Sequence, residues 1–270
     1  MIKKIFMSSD IEGTCGIAHW DETEKSKGDY ATFSTQMSKE VAAACEGAML
    51  GGAVDIFVRD SHDSARNIQP AMLPEDVRIF RGWGRDPYSM MSGIDESFGG
   101  VIFTGYHSAA SWSGNPLSHT MNTQNVVIHI NGIKTSEMVM NAFTAAYYDV
   151  PVLMITGDAG VCEAAKRLNP NIYTVPVQVG RGNGTISIHP DEAVRRIRET
   201  AEKAVREGIA NPDKFKVELP NKFDVEVDFK HHSKARRASF YPGVRKVGDT
   251  KVMFSSDAYY DVLRFFMFCL

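Results

Sequence analysis

The chain has 270 residues, 43% of them hydrophobic and 23% charged, a globular composition that excludes wholesale disorder and allows a large buried core. A formal net charge of -3 gives no electrostatic footprint for nucleic acid, and the four cysteines contain no C-x-x-C pair that would suggest a zinc knuckle or a disulfide framework. No stretch approaches the roughly 18 apolar residues of a membrane span, and residues 1–7 meet Asp10 too soon to hold a signal peptide's apolar region, so a cytoplasmic protein is expected.

Residues 2–8 form a short apolar run that predicts a buried first strand, ending at Ser9-Asp10. Over 30–50, Phe33, Met37, Val41, Cys45 and Met49 share one helical face, and Gly51-Gly52 stops the helix. A second strand follows over 54–58, closed by Asp60-Ser61-His62, and residues 77–80 suit another. The run 100–105 predicts a strand ending at Tyr106-His107. Residues 126–130 alternate before the Asn131-Gly132 turn, 135–148 predict a helix, and 151–156 a further buried strand. A helix is predicted over 190–208, with Asp191 and Glu192 in its first turn and Arg195, Arg196 and Arg198 later, matching the dipole. Residues 216–229 predict paired strands around Leu219-Pro220-Asn221. The basic stretch 230–237 reads as a solvated helix face, and Tyr259, Val262, Leu263, Phe266 and Leu270 form a closing apolar stripe suited to packing.

Strands alternating with helices predict an α/β fold, with a mostly parallel central sheet flanked by helices and a smaller α+β C-terminal portion. The glycine-rich stretch 180–184 suggests a division into a metal-binding catalytic portion, residues 1–185, and a smaller portion, residues 186–270. Parallel sheets bind ligands beyond the carboxyl ends of their strands. That rule selects Asp10 and Glu12 after the first strand, His62 after the second, and His107 after the run 100–105, with Glu137 opening a helix within reach of the same edge.

Each of these residues has a plainer reading by itself: Asp10 as a turn cap, Glu12 as a solvated charge, the histidines as satisfied loop residues, Glu137 as a helix-dipole partner. Their common location decides against it. Three carboxylates and two imidazoles suit zinc, with manganese or cobalt as alternatives. Two divalent ions against three carboxylates leave one positive charge, which a shared hydroxide would neutralise. Asp10, short and nearest its strand, is the natural bridge of such a two-metal clamp. His119 lies in the long segment after His107 and is the candidate base, acid or oxyanion partner. Cys15 has no histidine placed to activate it, and neither a G-x-S-x-G elbow nor a Walker A loop is present.

Met7-Ser8-Ser9-Asp10-Ile11-Glu12-Gly13, Asp60-Ser61-His62, Gly105-Tyr106-His107, Ser118-His119, and Glu137 leading into residues 147–154 and Gly157-Asp158 run in an order that resembles the bacterial D-aminopeptidases, zinc metallopeptidases of dipeptide-transport operons. The resemblance implies two zinc ions bridged by Asp10, with Glu12 and His107 on one and His62 and Glu137 on the other, and His119 as the active-site residue assisting metal-activated water. It also implies a short-peptide substrate losing an amino-terminal D-residue, typically D-alanine, and a cytoplasmic homo-oligomer, a decamer of two pentameric rings. The segment from His107 to His119, including Trp112-Ser113-Gly114-Asn115, departs from the family pattern.

A competing reading takes Asp10-Ile11-Glu12-Gly13-Thr14 as the phosphatase signature of the haloacid dehalogenase superfamily. Asp10 would then be the phosphoryl-accepting nucleophile, with one magnesium ion and Gly157-Asp158 as a late acidic motif. It leaves the three histidine motifs without work. A non-catalytic binding module would need no such complete ligand set.

Overall fold

The computed structural model describes residues 3–270, so Ile2 of the first predicted strand lies outside the described residues. In chain order the elements are β1 (Lys4–Ser9), α1 (Tyr30–Leu50), β2 (Asp55–Asp60), β3 (Val77–Phe80), β4 (Gly100–Tyr106), β5 (Asn125–Ile130), β6 (Ile133–Lys134), α2 (Glu137–Tyr147), β7 (Val152–Asp158), α3 (Ala159–Leu168), β8 (Tyr173–Arg181), β9 (Gly184–Ser187), α4 (Pro190–Ala210), β10 (Phe223–Phe229), α5 (His232–Ala238), β11 (Arg245–Lys246), β12 (Lys251–Ser256) and α6 (Tyr259–Cys269).

Seven strands form one sheet in the order β3-β2-β1-β4-β7-β8-β9, parallel except at the β8–β9 edge. Its strands are apolar on both faces because both faces are covered. Ile5 and Met7 of β1 enter a core shared with α1 and α4, and the intervening Phe6 enters the opposite core, shared with α2, α3, α6 and the second sheet. Each such side chain contributes roughly 1.5–3 kcal/mol on burial. The chain leaves β1 toward β2 and β3 on one side, then returns to β4 and continues to β7 and β8 on the other. The strand order therefore reverses between β1 and β4, and a crevice opens there at the carboxyl ends.

The second sheet is antiparallel, in the order β11-β12-β10-β5-β6. It takes β5 and β6 from the first half of the chain, whereas α4 packs on α1 against the parallel sheet. The two layers thus do not separate at residue 185. The glycine-rich stretch there is the tip of the β8–β9 hairpin, with Gly182 at φ 61. Residues 216–222 are not a strand either: β10 stands alone in that region and finds its partners in β5 and β12.

Candidate metal centre

The crevice between β1 and β4 is closed by backbone contact between the loops that leave them. Asp10 N donates to Thr104 O at 2.9 Å and Gly13 N to Gly105 O at 2.8 Å. A Cβ on Gly13 would meet Tyr106 O at 1.8 Å, so the glycine of the D-x-E-G run is there because no side chain fits. From β2, the Asp60 carboxylate accepts from Asn67 N, Asn67 Nδ2 and Ile68 N, and Asn67 Nδ2 also donates to His62 O at 2.6 Å, which shapes the loop that carries His62. After β4, Ser108 N and Ser108 Oγ both donate to Asp158 at 2.6 Å, fixing the chain beside His107. Glu137 begins α2 behind its cap Ser136 and accepts from Met121 N at 2.6 Å.

All six residues singled out in the sequence meet here, five of them buried and His119 half-buried. His62 Nδ1 lies 3.4 Å from Asp10 Oδ1 and 3.2 Å from Glu12 Oε1. His107 Nε2 lies 3.4 Å from Asp10 Oδ2 and 3.5 Å from Glu137 Oε2. Asp10 thus turns one oxygen toward each of two groups, Asp10-Glu12-His62 and Asp10-His107-Glu137. Ligand atoms bonded at about 2.0–2.1 Å to a tetrahedral ion stand about 3.3–3.4 Å apart; the observed separations have that size.

The grouping differs from the one the resemblance implies, because His62 faces Glu12 and His107 faces Glu137. A third set, Glu12, His107 and His119, also brings its ligand atoms within 4.8 Å of one another. The contacts of His119 Nε2 are longer, 3.8 Å to Glu12 and 3.6 Å to Glu137, one carboxylate from each Asp10-centred group. His119 therefore spans the two groups. It stacks on His107 with centroids 4.3 Å apart, and Trp20 meets its ring edge-on at 5.3 Å.

The second nitrogen of every ring is committed to a backbone carbonyl. His62 Nε2 donates to Thr23 O at 3.0 Å, His107 Nδ1 to Ser108 O at 2.9 Å, and His119 Nδ1 to Leu117 O at 2.9 Å. Each bond fixes the ring so that its other nitrogen faces the cluster, the arrangement of metal-ligating histidine. Glu12 Oε2 and His107 Nε2 are buried and make no hydrogen bond with protein atoms. Such atoms are costly unless a cation or solvent satisfies them. The donor set fits a pair of divalent ions.

Burial disfavours the charged form of each group, but the facing charges outweigh it. His62 above all holds Glu12 far below the usual carboxylate range. Glu12 with Asp10 raises His62, and Glu137 with Asp10 raises His107, well above the usual imidazole range. Protons on the rings compensate the carboxylates, and a divalent cation would displace them.

A cavity of about 910 Å³ opens over the cluster, walled by Trp83, Tyr88, Met90, Met140, Leu263 and Phe266. Trp83 and Tyr88 carried no sequence signal. The α6 stripe, expected as packing, also supplies Leu263 and Phe266 to this wall. Thr23, Ser108 and Leu117 were likewise unforeseen, because they act through main-chain carbonyls that any residue possesses.

The phosphatase reading finds no support. Asp158, which it needs as a late metal carboxylate, is consumed by Ser108 and by the N-cap bond from Val161 N at 2.9 Å. Cys15 is buried with its thiol pushed up to about 12, mainly by burial, and Sγ contacts Ile188 O at 3.1 Å, so it is no nucleophile. Among the other histidines, His19 and His189 cap helical turns, and His129 lies 3.8 Å from Glu226.

Residues 3–268 match the peptidase M55 family, described as D-aminopeptidase. A D-aminopeptidase of Bacillus subtilis (strain 168) is 31% identical over 256 residues, covering 94% of this chain and 91% of that protein. Among solved structures, the zinc-dependent D-aminopeptidase DppA from Bacillus subtilis, described as a self-compartmentalizing protease, superposes with a TM-score of 0.89 at 28% identity, covering 98% of this chain and 95% of that one.

Proposed function

This chain belongs to the D-aminopeptidase family, and from that premise we propose that it is a dinuclear zinc aminopeptidase that removes the amino-terminal residue, D-alanine above all, from short peptides. One observation carries the reading: a single carboxylate, Asp10, offers an oxygen to each of two groups whose donor atoms are spaced 3.2 to 3.5 Å apart. Glu12 and His62 would hold one ion and His107 and Glu137 the other, both sharing Asp10. Bound zinc would supply Lewis acidity for the scissile carbonyl and make water acidic enough to attack near neutral pH.

The chain's own residues do the rest. Glu24, Asp63 and Asp86, lining the cavity apart from the metal-site carboxylates, carry the negative charge that attracts a free α-ammonium. His119 presents its Nε2 to the cavity, and its Nδ1 is fixed by Leu117 O. From there it takes a proton from the attacking water and delivers it to the leaving amine nitrogen. The apolar wall formed by Met90, Met140, Leu263 and Phe266 excludes water around the amino-terminal side chain.

The likeness to a protein described as self-compartmentalizing supports a closed homo-oligomer, for which we adopt a decamer of two pentameric rings. Exposed Val54, Phe240 and Phe268 are surfaces such an assembly would cover. No described helix is long and apolar enough to cross a membrane. The four cysteines are unpaired, and the cytoplasm is the compartment they suit.

The test is metal analysis of the purified protein alongside hydrolysis of D-Ala-D-Ala, L-Ala-L-Ala and a phosphoester. Two zinc equivalents per chain with D-peptide cleavage are expected. His62→Ala and His107→Ala should lose both zinc and turnover, whereas His119→Ala should keep zinc and lose roughly 10²- to 10⁴-fold in kcat. A single magnesium ion with phosphoester turnover would overturn the reading.

A further inference from the structure

His119, Trp20 and Thr123 line two cavities at once, so the His119–Trp20 pair is a partition. The first cavity is the one over the metal cluster. The second, about 350 Å³, lies on the other side of His119 and is lined by Ser111, Ser118, Asn125, Val126 and Lys230 among others. That volume is at the lower end of small-ligand sites.

Two features of the second cavity point to a ligand. Asn125 is 3% exposed, and its Nδ2 donates to Thr120 O at 2.9 Å, yet its Oδ1 is buried without a hydrogen-bond partner. Lys230 is tied through its backbone N to Gln124 O at 2.9 Å, and among the described residues its ammonium has no ion-pair partner. The two serine hydroxyls nearby are already used: Ser111 Oγ donates to Val126 O and Ser118 Oγ to Asn115 O. What the second cavity offers a guest is therefore one amide acceptor and one cation, beside the Thr123 hydroxyl on the partition.

The charges on the two sides of His119 are opposite. Apart from the metal-site carboxylates, the first cavity carries Glu24, Asp63 and Asp86 against Arg85, whereas the second carries Lys230 with no carboxylate. A zwitterionic peptide laid across His119 has its amine in the acidic cavity and its carboxylate in the basic one. This direction also places the scissile bond at the metal cluster.

We propose that the second cavity is the subsite for the leaving part of the peptide, where Lys230 Nζ pairs with the substrate's C-terminal carboxylate and Asn125 Oδ1 accepts a peptide N–H. The proposal rests on the aminopeptidase reading and adds to it a selectivity for short peptides with a free carboxyl end. A longer leaving segment outgrows the cavity, and an amidated one loses its partner.

The experiment compares kcat/KM for D-Ala-D-Ala with that for its C-terminal carboxamide, with D-alanine p-nitroanilide as a substrate lacking any carboxylate. The zinc-loaded wild type should favour the free acid by roughly three- to tenfold, mainly through KM. In Lys230→Gln that ratio should collapse to about one, and Lys230→Arg should restore most of it. Asn125→Asp, which puts a negative charge in the same subsite, should lower the ratio below one. Equal use of acid and carboxamide by the wild type, or a Lys230→Gln ratio unchanged from wild type, overturns the subsite while p-nitroanilide turnover still upholds the peptidase reading. Absence of turnover on all three substrates with two zinc ions bound would sink the peptidase reading itself, and the subsite with it.

Discussion

The convergence of Asp10, Glu12, His62, His107 and Glu137 could be read from the amino acids alone because each follows a strand or opens a helix on one edge of a parallel sheet, and the edge is a geometric rule. Asn125 and Lys230 could not, since one lies just outside the alternating run 126–130 and the other is the first of a basic run that reads as solvated surface. Glu40 is a third residue without a sequence signal. It is buried in α1 beneath the loop that carries Asp10 and Glu12, its Oε1 accepts from Cys15 N and Gln36 Nε2 at 3.0 Å each, and its Oε2 has no partner. Burial raises its pKa from 4.5 to about 7 against those two donors. The fold therefore favours the protonated acid. The stability this gives is whole below the ordinary carboxylate pKa, falls as pH rises toward about 7, and stays lost above it. Glu40→Gln supplies a neutral amide of the same shape. Urea unfolding should show the variant more stable than wild type at pH 8, by up to roughly 3 kcal/mol, and close to it at pH 4.5.

At the scale of elements, the centre depends on loops that pass one another at backbone distance. Gly13 lies against Tyr106 O, and Gly105, at φ +67, lies against Asp10 O. Gly13→Ala forces the β1 and β4 loops apart, and with them Asp10 and Glu12 from His107. Its zinc content, measured after gel filtration, should fall well below two equivalents, with a lowered melting temperature. A full zinc complement in that variant would show the loops to be more compliant than their contacts imply. The elements missed in the sequence have local reasons. β8 carries Pro176 inside a strand, where a ladder donor is normally required, and the register shifts next to it between Gly157 and Asp158. α3 is ten residues long with Gly160 in its first turn, so its helical period is brief. Leu219-Pro220-Asn221 looked like a hairpin tip, but β10 pairs with strands far away in the chain, which no local pattern reports.

Across the whole molecule, the proposed ligands arrive from β1, β2, β4 and α2, and α2 follows β6 of the antiparallel sheet, so metal held there would join both layers. Ions held only by the folded form stabilise it by about 4 kcal/mol at a thousandfold excess over Kd. Chelation should therefore lower the melting temperature, and added zinc should restore it. Because His62 and His107 hold their protons above the usual imidazole pKa when no cation competes, zinc affinity should keep rising with pH through neutrality rather than level off below it. Titration with a competing chelator at pH 6, 7 and 8 measures that slope. One core also runs through both layers: Phe6 of the first strand and Phe265 of the final helix belong to the same apolar cluster. On the ribosome, the early strands thus emerge with one greasy side bare, and that side is fully covered only when the distal segments have joined α2 and α3 on it. Until that moment the bare side is apolar surface of the kind that drives aggregation of incomplete chains.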